Sequence, residues 1–367
     1  MLIAKWFKQE RNLLVALIVA VGAYVGEHSI LEMGQSASMI AAAALIATIV
    51  LASMRVAHHA ETLAVKVGDP YGTMILTLSA VAVEVIILAI MMSGESSPTL
   101  VRDTIYAAVM LDINGILGLA ALLGGLKHGE QPYNDDSSRT YGVMILTAMG
   151  ISMIVPEFIP DPKWHYYSAF TIVAMIALYA LFLRMQVGRH SYFFSYSYPR
   201  TEKKLATAEA EEHREEDSTA TSIVTILIGV VLIGTLAEFM SASMDTGLKG
   251  TGAPPAIAAI VVAAISAAPE ILTALRAALR NRMQATVNIA LGASLSTVIL
   301  TVPVMEAIAL YTGQPFIMAM SPVQTVMVMI TLIVAAINLN DGETNAIEGM
   351  THFILFATFI MLTALGL

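Results

Sequence analysis

A chain of 367 residues that is 57% hydrophobic and 13% charged has about half the charged share of an ordinary soluble domain. This excludes a soluble globular protein and requires the apolar excess to face lipid. With no cysteine, disulfides and thiolate metal centres are excluded too, and the net charge of −9, falling mostly in connecting segments with no basic stripe, excludes nucleic acid as a partner.

Apolar stretches of the length needed to cross a bilayer recur at 12–28, 36–54, 70–92, 104–125, 140–158, 166–186, 221–240, 253–275, 284–311, 322–338 and 345–366. The expectation is an all-α integral membrane protein of about eleven transmembrane helices, the longest of which tilt or break. The first stretch follows Lys5, Lys8 and Arg11 and reads as a retained helix (1–30) rather than a cleaved signal. With the N-terminus cytoplasmic, sixteen Lys and Arg fall on the inside and only Arg102, Lys163 and Lys249 on the outside. That bias predicts a multi-pass protein of a bacterial inner membrane whose C-terminus lies outside.

Just past span two, His58, His59 and Glu61 form a small cluster. A wet cytoplasmic helix end is the plain reading, a metal or pH-sensing site the sharper one. Span three opens at Pro70 and runs through Thr77 and Ser79 to a single acid, Glu84, fourteen residues on. Span four carries Asp112 and Asn114, two residues apart and therefore on different faces. Asp112 reads as a proton-pathway group or as the partner of a polar residue on another helix. The segment 188–220, with EKKLATAEAEEHREED, is expected to be an acidic, solvated cytoplasmic connector, with cation sensing as its alternative.

Beyond it the pattern repeats. Span eight opens at Pro254 and Pro255, passes Ser266 and Pro269, and reaches Glu270 fifteen residues after Pro255. Spans three and eight are five crossings apart and so run in opposite directions. The expectation is two inverted five-helix repeats, 36–187 and 221–367, after an extra N-terminal helix. Such folds hold their substrate near the midplane on interrupted helices. Span nine adds Ser294 and Ser296. Glu238 and Glu306 read as exposed acids near outer span ends, with a proton-conducting funnel as the sharper alternative. Asn340-Asp341-Gly342-Glu343 lacks the ligand spacing of a calcium loop and reads as the turn between spans ten and eleven. The 23 methionines read as packing residues, not as soft-metal ligands.

A carboxylate inside a bilayer costs several kcal/mol and persists with a purpose or a partner (roughly 3 kcal/mol on insertion scales). Burial favours its protonated form and a nearby cation its ionised form, so proton and cation compete for one group. Glu84 and Glu270 are therefore the candidate cation- and proton-binding acids. Thr77, Ser79, Asn114, Ser266, Ser294 and Ser296 are candidate oxygen ligands for a hard cation, and Pro269 frees a carbonyl one turn earlier. A cation channel would need a continuous polar pore. An intramembrane enzyme would need a motif such as HExxH or GxSxG, and neither is present.

At these residues the chain resembles a known family. Gly68-Asp-Pro-Tyr-Gly-Thr-Met-Ile-Leu-Thr-Leu-Ser-Ala-Val-Ala-Val-Glu84 is similar to the first signature repeat of bacterial calcium/proton antiporters, in the calcium/cation antiporter superfamily, and Ser266-Ala-Ala-Pro-Glu270 through Ala290-Leu-Gly-Ala-Ser-Leu-Ser296 to the second. The ChaA-like branch is the nearest. The resemblance implies a secondary antiporter exporting Ca2+, and Na+ or K+ as well, against protons by alternating access, with no cofactor. It implies inorganic cations, protons and membrane lipid as partners and leaves a homo-oligomer open. Glu84 and Glu270 match the family's ion-binding glutamates, Asn114 and Ser294 its polar ligands. The leads into the two acids are Val-Ala-Val and Ala-Ala-Pro instead of a Gly-Asn-Ala type, and Ser296 stands where vacuolar-type exchangers carry glutamine. With fewer amide oxygens, a monovalent Na+(K+)/H+ antiporter stays open as the alternative.

Overall fold

The computed structural model describes residues 10–67, 71–93, 97–187, 191–194, 218–254, 256–314 and 316–367. Pro70, Pro255 and most of the 188–220 connector lie outside the described residues. The described residues form eleven apolar helical spans. They are α1 (Arg11–Glu32), α2 (Gln35–Val67), α3 (Tyr71–Ser93), α4 (Leu100–Val109) continuing into α5 (Gly118–His128), α6 (Asp135–Met149), α7 (Trp164–Val187), α8 (Thr219–Leu248), α9 (Ala256–Leu279), α10 (Met283–Ser296) continuing into α11 (Val302–Thr312), α12 (Pro322–Asn338) and α13 (Ala346–Ala364). Nine are long and apolar enough to cross a membrane, and α3 and α12 contribute shorter apolar helices.

Local chemistry sets the ends. Asn134, Ser218, Ser321 and Asn345 accept backbone N–H groups at the starts of α6, α8, α12 and α13. At α12 the Gln324 side chain closes a capping box with Pro322 in the first turn. α11 stops at Gly313, whose φ of 70° is a left-handed cap. π-helical turns interrupt three spans, at Met110–Leu117, Gly150–Ile154 and Thr297–Thr301. The last is the break expected of the longest span.

Some helices outrun their apolar stretches, most of all the second: Arg55 interrupts the apolar run after residue 54, but α2 continues to Val67. Arg55 and His59 are paired with Glu10, and the helix runs on past them to an exposed end that carries Glu61 and Lys66.

The chain divides into two compact units. The first comprises Met1–Ser96 and Tyr198–Ala253, the second Ser97–Ser197 and Pro254–Leu367. In the first, α2 packs along α8, and α1 and α3 flank the pair. Gly229 of α8 is required there because a Cβ would strike Val56 of α2. In the second, α5 lies against α13 nearly backbone to backbone: a Cβ on Gly349 would collide with Leu122, and one on Gly125 with Ala346.

Connections between turns follow the parity of eleven alternating crossings. In the first unit the Gln35 side chain donates to the Lys249 carbonyl. In the second, strand β1 (Gln131–Pro132) pairs antiparallel with β2 (Glu343–Thr344), and Ile317 N–H donates to Pro98 O. Each link joins turns an even number of spans apart. The Asn340–Glu343 segment is the expected turn between spans ten and eleven, with Gly342 at φ 80°.

Candidate functional site

In the first unit, Glu84 lies in α3 at 2% exposure among the buried Val81, Val83, Ile87 and Leu88. Thr77 precedes it by seven residues and shares its helix face, whereas Ser79 is five residues away and does not. Both hydroxyl residues are half-buried.

In the second unit, α9 carries Ser266, Pro269 and Glu270, with Glu270 half-buried. Ser266 and Glu270 are one turn apart on one face. The Ser266 hydroxyl donates within its own helix, to Ala263 O at 3.0 Å. Pro269 has no N–H to donate one turn back, so it loosens the helix immediately before the acid.

α9 packs against α4, the π turn after it, α5 and α10. On that π turn Asp112 and Asn114 do point apart. Asp112, 2% exposed, accepts from the buried Ser294 hydroxyl of α10 at 3.2 Å. The Asn114 amide donates to Thr331 Oγ1 of α12 at 2.7 Å, while its Oδ1 lies 2.9 Å from His352 Nδ1 of α13. Ser296 turns back on its own helix, donating to Ala293 O at 2.9 Å. The structure thus pairs Asp112 with Ser294 and commits the polar atoms of Asn114 to two other helices. No group of three or more His, Cys, Asp or Glu side chains arranged for a metal occurs among the described residues.

Two expectations about exposure need correcting. Glu238 is exposed on α8 as expected, but Glu306 is not an interfacial acid. It is 2% exposed in α11, with Oε2 2.5 Å from Thr171 Oγ1 and Oε1 3.3 Å from Ser168 Oγ of α7. Nor is His59 at a wet helix end. It is fully buried, with Nε2 3.0 Å from Glu10 Oε1 and Nδ1 3.4 Å from Ser222 Oγ of α8. Arg55 donates to the same carboxylate through Nε at 2.8 Å and Nη2 at 2.5 Å. Burial alone would raise the Glu10 carboxyl, but hydrogen bonds from Arg55 and His59, and their charges, outweigh it and bring it down to about 2.

Glu10, Ser168, Thr171, Thr331 and His352 were not singled out from the sequence. Of these, His352 carried a readable signal, a lone ionisable side chain in the apolar run His-Phe-Ile-Leu-Phe.

Glu84 buried in an apolar helix, Glu270 beside Pro269, and Asp112 on a π turn accepting from a hydroxyl suit reversible binding of a proton or a hard cation. Comparison with known proteins bears on this. Residues 37–188 and 221–365 match the family described as sodium/calcium exchanger protein. The chain belongs to that family. It is 32% identical to the sodium-potassium/proton antiporter ChaA of Escherichia coli (strain K12), over 85% of this chain and 86% of that protein. It is 25% identical to the Ca(2+)/H(+) antiporter ChaA of Bacillus subtilis (strain 168), over 86% of this chain and 88% of that one. The structure of native YfkE shares the fold, with a TM-score of 0.73 at 17% identity, covering 95% of this chain and 99% of that one. The match falls in two segments flanking the acidic connector, and one of the two candidate glutamates lies in each.

Proposed function

We infer that this exchanger is a secondary-active antiporter that moves a cation out of the cytoplasm while protons enter. The observation that carries the reading is Glu84, an acid 2% exposed in the middle of an apolar helix of a sodium/calcium exchanger family protein. A carboxylate there is stable when it holds a proton or a cation and costly when it holds neither. Glu84 and Glu270, in equivalent positions of the inverted repeats 36–187 and 221–367, are the two acids that hold the cation when deprotonated and take up protons in exchange for it. Thr77, Ser79, Ser266, Ser294, Ser296 and Asn114 are the candidate oxygen ligands. Ser266 and Ser296 spend their hydroxyl protons on carbonyls of their own helices, which leaves their oxygen lone pairs for a cation, whereas Asn114 Oδ1 would share a cation with the His352 Nδ1 contact. The protein sits in the bacterial inner membrane with its N-terminus cytoplasmic, as the distribution of Lys and Arg supports.

Calcium is the leading cargo, with sodium and potassium beside it. A monovalent exchanger with little calcium transport is the second reading. The E. coli relative, named for sodium, potassium and protons, is 32% identical, against 25% for the B. subtilis relative named for calcium. Proteoliposomes bearing a pH gradient test both. Uptake of Ca2+, Na+ or K+ that follows the proton gradient, and collapses when an ionophore dissipates it, supports exchange. Flux that follows membrane voltage with no proton movement contradicts it.

A further inference from the structure

Glu306 lies outside the candidate ligand set, yet it is an enclosed acid of the second unit, 2% exposed in α11. Its carboxyl is clamped between two hydroxyls of α7. Thr171, fully buried, places Oγ1 2.5 Å from Glu306 Oε2 and 2.9 Å from Ser168 O. Ser168 Oγ lies 3.3 Å from Oε1. These are three oxygen–oxygen contacts, and each hydroxyl carries one proton. Two protons serve three contacts only if one is shared.

A proton on Glu306 Oε2 completes the set. The carboxyl O–H then donates to Thr171 Oγ1, the Thr171 O–H donates to Ser168 O, and the Ser168 O–H donates to Oε1. When that proton leaves, the Thr171 hydroxyl has to turn from the backbone carbonyl to the carboxylate. The clamp therefore has an arrangement for each charge state, separated by one hydroxyl rotation and one proton.

Among the described residues no compensating charge faces it. α11 packs against α7 and the Thr297–Thr301 π turn. From α7 the facing titratable group is Tyr167, whose hydroxyl donates to Ile151 O at 2.6 Å. His165 and Tyr166 are exposed. Tyr179 and Arg184 lie eight and thirteen residues beyond Thr171, roughly 12 and 20 Å along the helix. The π turn brings Thr297 and Thr301 and no charge. No basic side chain pairs with Glu306 among the described residues.

We propose that Glu306, clamped by Ser168 and Thr171, is a third proton-binding carboxyl of this exchanger, taking up and releasing a proton of its own besides those of Glu84 and Glu270. Its part in exchange rests on the antiporter reading; its protonation does not. The step is a proton transfer alone, from water to Oε2 and back, with no other bond made or broken.

Infrared difference spectra of the full-length protein in proteoliposomes, titrated from acid to alkaline pH, read the site without transport. The expected result is a protonated-carboxyl band that disappears as pH rises, is missing from E306Q, and is shifted in frequency or midpoint in T171V. An E306Q titration identical to wild type overturns the proposal. So does an E306-dependent band that persists at every pH, which marks a permanently protonated structural acid. If E306Q does not fold, T171V decides: an altered band supports the clamp, and an unaltered titration overturns it. Proton-coupled flux of wild type in the same vesicles tests the antiporter reading separately.

Discussion

Glu10 in the first unit and Glu306 in the second are equally buried acids with opposite chemistry. Glu10 is held by the Arg55 guanidinium and by His59, so its charge is balanced where it sits. Glu306 is held by two hydroxyls, which can donate to its ionised form or accept from its protonated one. Burial is therefore a poor guide to which acid works. The partner decides: a fixed cation makes an anchor, and hydroxyls leave the proton free to come and go.

The largest expected effect is at the anchor. R55A leaves the Glu10 carboxylate buried without its main cation, and breaking a buried pair from one side costs about 3–5 kcal/mol. Thermal unfolding in detergent should show that loss, and the combined E10Q/R55M replacement should recover most of it. An R55A protein that melts like wild type would break the comparison. Next comes the same substitution at both acids. E10Q turns one acceptor into a donor facing Arg55 or His59 and should cost about 1–3 kcal/mol. E306Q reproduces the donor pattern of the protonated clamp and should cost less than about 1 kcal/mol. Equal losses would erase the distinction between anchor and proton site.

A third expectation concerns Asn114. N114A leaves His352 Nδ1 without its Asn114 partner and the Thr331 hydroxyl with only Met110 Sδ, and should cost about 1–3 kcal/mol, read as a lower melting temperature in the absence of any cation. The smallest expected effect is the dependence of the anchor on pH. The folded Glu10 carboxyl sits near 2, below its ordinary 4.5, so its stabilisation is complete above the ordinary value and is lost as pH falls toward about 2. The melting-temperature difference between wild type and E10Q should therefore stay flat from neutral pH down to mild acidity. A difference that shrinks already near neutral pH would mean that the carboxylate is not held as described.

The spans were legible because crossing a bilayer as a helix demands a long apolar run, and the eleven helical spans fall where those runs lie. What failed was local: Arg55 stopped the hydropathy window, although its charge is cancelled by a residue 45 positions earlier. The candidate site was legible in its acids, since Glu84 and Glu270 interrupt otherwise uncharged spans. Their hydroxyl and amide company was harder to read. Serine and threonine are common in packed membrane helices, and nothing local marks Thr171 as the partner of an acid 135 residues away or His352 as the partner of Asn114 238 residues away. Such pairings are set by packing, which the linear pattern does not carry.

The central claim, that Glu84 and Glu270 carry the exchanged cation and protons, is tested most directly by proton-driven Ca2+, Na+ and K+ flux in inverted vesicles carrying equal amounts of wild type, E84Q and E270Q. Loss of exchange for every transported ion in both variants is the expected result. Full exchange retained in both would contradict it.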